Sequence, residues 1–298
     1  MYLIHFERKK HMSKIRIATD STSDIPKALQ EELDITVLPL TIICEDKEYS
    51  DGCDITPEEF YEILETSEKI PGTSRVTPVL YAELFEKAFN DGCSDLIVVC
   101  LNSKGSGTWQ GAVMAKEAFF EETPEAKGKL EIYIIDSKTY SMAYGWAVVE
   151  AAKLIKEDAP LEKVLECINE WLNNVCPVFL ANNLKFIKKS GRISAAAALV
   201  GDTLGLKPII TFENGDSKVL SKARGEKKAM RELLDMVATG HKAGTPYMLV
   251  WGNNLEQYQN FREACIEKLG QEPAVEYPVG CIIAANSGPN IIGIIFRK

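Results

Sequence analysis

Histidine is nearly missing from this sequence. The 298 residues contain three, His5, His11 and His241. The first two fall in MYLIHFERKKHM, an opening stretch that reads as an N-terminal extension (residues 1–13) ahead of the more natural start around Met12. A Ser-His-Asp or Cys-His mechanism needs an imidazole held against its nucleophile. Only His241 is left for that role, and TGHKAGTP around it offers no nucleophile, so it reads as a solvated loop histidine. The GxSxG nucleophile elbow and the GxxxxGK[ST] phosphate loop are also missing. None of the 8 cysteines forms a CxxC pair, which argues against a zinc site or a thioredoxin-like motif. Cys100 and Cys281 lie in apolar runs, as small buried hydrophobes do, and the set reads as the reduced thiols of a cytoplasmic protein. No apolar run approaches the roughly 18 residues that cross a bilayer, and no small-residue cleavage site follows the start, so neither integral membrane association nor a signal peptide is expected. An excess of basic charge is lacking too. The formal net charge of -9 argues against a nucleic-acid-coating protein, although KFIKKSGR (Lys185–Arg192) is a local basic run.

What is present is the balance of an ordinary globular protein, 46% hydrophobic and 26% charged, long enough for one large or two ordinary domains. The first half alternates strand and helix patterns. KIRIAT, ITVLPLTI, DLIVVC and LEIYIID read as strands, with CEDKEYSDG as a hairpin or bent strand. Thr56-Pro57 and Thr77-Pro78 read as helix starts, a threonine cap followed by proline in the first turn. Thr139–Glu157 and the apolar face from Leu161 to Leu172 add helices. This rhythm predicts a parallel sheet covered by helices. The second half is mixed. LKPIITFENGDSKVLSKAR predicts a hairpin turning at Asn214-Gly215-Asp216, and Ala229–Val237 and Leu255–Leu269 predict helices. PYMLVWG, CIIAANSG and NIIGIIFRK read as strands. The predicted fold class is α/β: an N-terminal parallel-sheet α/β/α domain over residues 14–170 and a C-terminal mixed α+β domain over residues 171–298.

The strand-to-helix passage LNSKGSGTWQGA (residues 101–112) has the look of an anion loop. Gly105-Ser-Gly107-Thr-Trp-Gln-Gly111 is GxGxxxG, one residue longer than a dinucleotide fingerprint and on a late strand. Two alternatives stay open on the residues alone: an enzyme or sensor binding a nucleotide or phosphorylated small molecule at Gly105–Gly111, or glycines serving only a tight turn. A third is a carboxylate. Ligands of a parallel sheet bind at the carboxyl ends of its strands. The loops expected there, DSTSD, GTSRVT, NSKGSGT and DSKTYS, are rich in hydroxyls, and helix N-termini add unpaired N–H groups. Such donors, without a lysine or arginine cage, suit one modest negative charge better than a triphosphate.

Five stretches in order resemble one family. TDSTSDIP (Thr19–Pro26), PGTSRVTP (Pro71–Pro78), GSGTWQGA (Gly105–Ala112), IIDSKTYSMAYG and LKFIKKSGRIS (Leu184–Ser194), the last followed by GLKPII, resemble motifs of the DegV family, the bacterial fatty-acid-binding family. The resemblance runs from Lys14 to Lys298. It implies a two-domain, non-enzymatic, cytoplasmic protein that buries a long-chain fatty acid between its domains and has no catalytic residues, metal or cofactor of its own. It implies that the ligand carboxylate is held by Thr73 and Ser106, with Ser74, Gly107, Asn286 and Ser287 as secondary contacts. It implies as partner the catalytic subunit of a fatty acid kinase, which phosphorylates the bound acid to an acyl phosphate, with Arg192 facing that partner. Two departures stand out. Asn286 takes the place of a histidine common in the family, and Arg75-Val76 replaces a Gln-Pro pair. Arg75 is either added charge at the site or a solvated arginine.

Overall fold

The computed structural model describes residues 14–67, 69–182, 184–193 and 205–298. The whole N-terminal extension, residues 1–13, and Ser194 at the end of the LKFIKKSGRIS motif, lie outside the described residues.

Four parallel strands, β1 (Ile15–Asp20), β2 (Thr36–Leu38), β6 (Asp95–Cys100) and β7 (Glu131–Asp136), form a sheet in the order β2-β1-β6-β7. β6 is buried at every residue, so DLIVVC can be apolar nearly throughout without exposing a face. The helices that return the chain are α3 (Pro78–Asn90), α4 (Thr108–Glu122), α5 (Met142–Lys156) and α6 (Leu161–Asn174); α4 packs on β7 and α3, and α5 on β1 and α6. Two further helices are α1 (Lys27–Glu32) and α2 (Pro57–Thr66). The expected caps form. Thr56 and Glu59 make a reciprocal capping box at α2 with Pro57 in its first turn, and the Thr77 hydroxyl accepts the Leu80 N–H at α3.

ITVLPLTI is not one strand. Pro39 cannot donate to a ladder, and the chain divides around it into β2 and β3 (Thr41–Cys44), which belong to different sheets. β3 pairs with β4 (Lys47–Ser50), the hairpin expected from CEDKEYSDG, and on its other side with β5 (Gly72–Ser74). This small antiparallel sheet places Thr73 opposite Ile42.

The second half is a six-stranded mixed sheet ordered β10-β9-β8-β13-β11-β12. Its strands are β8 (Val175–Ala181), β9 (Leu206–Glu213), β10 (Asp216–Arg224), β11 (Tyr247–Trp251), β12 (Val275–Pro278) and β13 (Ile291–Arg297). Asn214 and Gly215 join β9 to β10 with φ of 51° and 82°, the two positive values that a two-residue hairpin turn requires. The helices here are α7 (Leu184–Ser190), α8 (Glu226–Gly240), α9 (Leu255–Leu269) and α10 (Cys281–Ser287). CIIAANSG is therefore a helix and not the expected strand. A short apolar run carries no decisive period, and here Gly280 and Gly288 flank one helical unit. α5 also starts at Met142 rather than Thr139, because Ser141 sits at a non-helical φ of 56°. β13 splits its residues between two cores. Ile292, Ile294 and Phe296 join the cluster under α8 and α9, while Ile291 and Ile295 join the core of the parallel sheet.

β1 and β6 lead to strands on opposite sides, so the sheet's topological switch lies between them. There the buried Asp20 carboxylate accepts the Leu101 N–H at 2.8 Å, the Thr22 N–H at 3.1 Å and the Tyr144 hydroxyl at 2.7 Å. Burial raises its pKa from 3.8 to about 6, even though the bonds from Tyr144 and Leu101 pull it down. Between those values the folded chain keeps a proton that the unfolded chain has lost. The group's contribution to stability is therefore complete below about pH 3.8, falls as pH rises toward 6 and is flat above, a span of ~3 kcal/mol. Burial raises Asp24 and Asp51 in the same direction. Urea midpoints measured from pH 4 to 7 should show this contribution as a difference in slope. The Asp20→Asn variant, which cannot titrate, should lack it, and equal slopes in the two proteins would remove Asp20 as its source.

Candidate functional site

The loop after β6 is held residue by residue. Asp20 takes the Leu101 N–H. Asn102 donates its side-chain amide to the Gly215 carbonyl at 2.9 Å and to the Tyr140 hydroxyl at 3.1 Å. Asp136, at the end of β7, accepts the Ser103 N–H at 3.0 Å and the Ser103 hydroxyl at 2.5 Å. Lys104 pairs with Asp216 at 2.7 Å. The hairpin tip of the six-stranded sheet is thus fastened to the strand-end loop of the parallel sheet.

A polar cleft of about 700 Å³ opens beside this loop. Thr73, Ser74, Ser106, Gly107, Asn286 and Arg192, from four separate stretches of chain, all line it. Next to it is a narrow apolar chamber of about 90 Å³, walled by Phe179, Phe212, Ile283 and Ile295 among others. Ser287 lines this chamber and not the cleft. Tyr140, Arg192, Ile283 and Asn286 line both spaces, so cleft and chamber adjoin. The Tyr140 ring packs on Phe212 at 4.7 Å between centroids, and Phe212 stacks on Phe179 at 5.8 Å.

The polar groups differ in what they can still offer. Ser106 Oγ accepts the Thr108 N–H at 3.3 Å and lies 2.9 Å from the Thr108 hydroxyl. Either hydroxyl can donate in that pair; when Thr108 donates, the Ser106 O–H is left to donate to an anion. Gly107, the residue before α4, offers no side-chain cap, and the Thr108 N–H is taken by Ser106 Oγ. The Thr73 hydroxyl makes no hydrogen bond among the described residues. Asn286 donates to the Ile282 carbonyl at 2.7 Å and Ser287 to the Ile283 carbonyl at 2.9 Å, so both are partly turned back into α10. The Arg192 guanidinium reaches the Ser190 carbonyl at 2.5 Å and, at 3.4 Å, that of Gly105.

The expectation of a donor set free of lysine and arginine does not hold. Among the described residues, Arg75, Lys104 and Arg192 line the cleft and no carboxylate does. His241 lies in neither space. It is half-buried, with its ring on the Thr245 carbonyl at 3.0 Å and edge-on to Tyr247 and Phe296, so it is not a solvated histidine. Among the described residues, no group of three or more His, Cys, Asp or Glu is placed to hold a metal ion, and no helix is long and apolar enough to cross a membrane.

The profile of the family described as "Uncharacterised protein, DegV family" matches residues 14–298. The chain belongs to the DegV family. A DegV domain-containing protein of Caldanaerobacter subterraneus subsp. tengcongensis is 34% identical over 292 residues, covering 96% of this chain and 100% of the relative. One of Clostridium acetobutylicum is 32% identical, covering 96% and 99%. Among solved structures, a DegV family protein from Thermus thermophilus described for its fatty acid binding superposes with a TM-score of 0.83 at 29% identity, covering 96% of this chain and 100% of that one. DegV from Bacillus subtilis, described as a fatty acid binding protein, superposes with a TM-score of 0.81 at 26% identity over 96% and 100%.

In this DegV-family chain the glycines of GxGxxxG make room for side chains. A Cβ on Gly105 would lie 1.9 Å from the Tyr140 hydroxyl, and one on Gly107 would lie 2.8 Å from Arg75 Nη1. Gly111 would meet only the Val76 carbonyl, at 3.9 Å. Two of the three glycines thus face side chains closely. The chamber walls escaped sequence reading, because apolar residues on β8 and β13 serve two cores at once; their lack of a polar face was the available signal. Thr22, buried in the cleft wall, belongs to DSTSD, one of the hydroxyl-rich loops read from the sequence, but is not singled out there. Gly105→Ala should force Tyr140 away from Asn102 and lower stability by about 1–3 kcal/mol, the usual effect of overpacking, seen as a lower urea midpoint.

Proposed function

We propose that this protein binds a long-chain fatty acid, with its carboxylate in the polar cleft against Thr73 and Ser106 and its tail in the apolar chamber, and presents the head to a partner kinase that phosphorylates it to an acyl phosphate. On this reading the chain is a binding subunit that needs no cofactor and does no chemistry itself. The observation that carries it is the junction: a donor-rich cleft, without carboxylates among the described residues, adjoins an apolar chamber through shared residues, the shape of an amphiphile's site. Relatives described as fatty acid binding, at 26% and 29% identity, support the same ligand class. Arg192, exposed where the two spaces meet, supports a face from which another protein reaches the head.

Energetically the tail dominates. About fifteen buried methylenes contribute roughly 12 kcal/mol before ordering costs, and two charge-assisted hydrogen bonds add about 1.5–3 kcal/mol each. The hydroxyls therefore fix where the head lies, more than whether the lipid binds. At about 90 Å³ the chamber is smaller than the ~150 Å³ cavity that admits a benzene ring, so a long tail enters by parting the Phe179, Phe212 and Ile283 side chains.

Thr73→Ala or Ser106→Ala should weaken fatty-acid binding about ten- to a hundred-fold without abolishing it, the loss of one charge-assisted bond. Displacement of a fluorescent fatty acid measures this. A double variant that binds as tightly as the wild type would remove both residues from the carboxylate site. Native mass spectrometry of the protein purified from bacteria tests the ligand class directly: a co-purifying long-chain acid is expected, and a protein that neither carries nor takes up a fatty acid overturns the reading.

A further inference from the structure

Three cations line the polar cleft, and they are not equivalent. Lys104 is neutralised by Asp216 at 2.7 Å. Arg192 spends its guanidinium on the carbonyls of Ser190 and Gly105. Arg75 has neither a carboxylate nor a carbonyl partner among the described residues. It follows β5 and stands two positions after Thr73, so the two side chains come from one short extended stretch. Its guanidinium lies across the start of α4: Nη1 is 2.8 Å and Cδ is 3.2 Å from where a Cβ on Gly107 would be, and Gly107 directly follows Ser106. One unpaired guanidinium therefore bridges the Thr73 segment and the Ser106 segment, at a helix start whose N–H groups also favour negative charge. The arrangement occurs in a chain of net charge -9, in a cleft that no acid lines among the described residues.

We propose that Arg75 is the ionic contact of the ligand head group and the residue that makes this site select an ionised head over a neutral one of equal length, with Gly107 as the clearance that lets the guanidinium lie there. This rests on the fatty-acid reading of the site and deepens it. The hydroxyls of Thr73 and Ser106 can serve a carboxylate, an alcohol or an ester alike, because a hydroxyl both donates and accepts. A guanidinium only donates and always carries charge, so it favours the anion. Asn286, which cannot be cationic, leaves this discrimination to arginine. Gly107 has ordinary helical-side φ, so alanine fits its backbone, and only the Arg75 side chain stands in the way of the new methyl.

The test measures binding of a long-chain fatty acid and of the fatty alcohol of the same length to the wild type, Arg75→Gln, Gly107→Ala and the double variant, at low and at moderate salt. The wild type should prefer the acid. Arg75→Gln should weaken acid binding about ten-fold or more, leave alcohol binding within about two-fold, and reduce the salt dependence of acid binding. Gly107→Ala should weaken the acid in the same selective way, and adding it to Arg75→Gln should cost the acid nothing more, because the residue it displaces is already gone. If Arg75→Gln keeps the wild-type ratio of acid to alcohol, or if the effects of the two substitutions simply multiply, the assignment of Arg75 is wrong while the fatty-acid reading stands. If the wild type binds neither lipid, that reading fails and the role of Arg75 falls with it.

Discussion

The cleft depends on one buried carboxylate. Asp20 ends β1 at the switch point of the parallel sheet and collects donors from three directions: the Leu101 N–H at the start of the site loop, the Thr22 N–H of its own turn and the Tyr144 hydroxyl from α5. Burial disfavours its charge, and the donors recover part of that penalty. What the molecule gains is position. The loop from Leu101 leaves the sheet at a set angle, and Ser106 is presented five residues later. A second aspartate, Asp136 at the end of β7, grips the same loop at Ser103. Two strand-end acids that do not line the cleft thus orient a cleft loop, Leu101–Gly107, that contains no acid.

The cleft and the chamber belong to no single sheet. The six-stranded sheet rests one face on α8 and α9 and turns the other toward the parallel sheet, which is why β13 alternates between two cores. The apolar chamber lies on that second face, and the polar cleft lies where the face meets the loop edge of the parallel sheet. The hairpin tip at Asn214-Gly215 closes the arrangement through Asn102 and Lys104. Two different kinds of surface meet there: strand-end loops with hydroxyls, and a sheet face with aliphatic and aromatic side chains.

Much of this was legible in the residues. Continuous apolar runs in β6 and alternating strand and helix patterns marked the parallel sheet, Asn-Gly marked the β9–β10 turn, and Thr-Pro pairs marked the starts of α2 and α3. Misreadings occurred where the local pattern underdetermines the outcome. Pro39 split a run that looks like one strand, and Cys281–Ser287 is too short for periodicity to separate helix from strand. His241 looked solvated because its aromatic neighbours, Tyr247 and Phe296, come from other elements. The hydroxyl loops could be named in advance, and the structure gathers Thr73, Ser106 and Asn286 around one cleft. The charge of that cleft could not be read, since Arg75 and Arg192 approach it from segments more than a hundred residues apart.

The sequence by itself determined the elements and the chemistry of the loops: which runs form strands, which residues cap helices, and that the strand ends carry hydroxyls. Those are short-range matters, set by backbone preference, side-chain period and donor type. Only the tertiary structure decided that Gly105 and Gly107 exist to clear Tyr140 and Arg75, that Ser287 belongs to the apolar wall and that the cleft is ringed by cations. These depend on contacts between residues far apart in the chain, where distance in space, and not spacing along the sequence, sets the interaction.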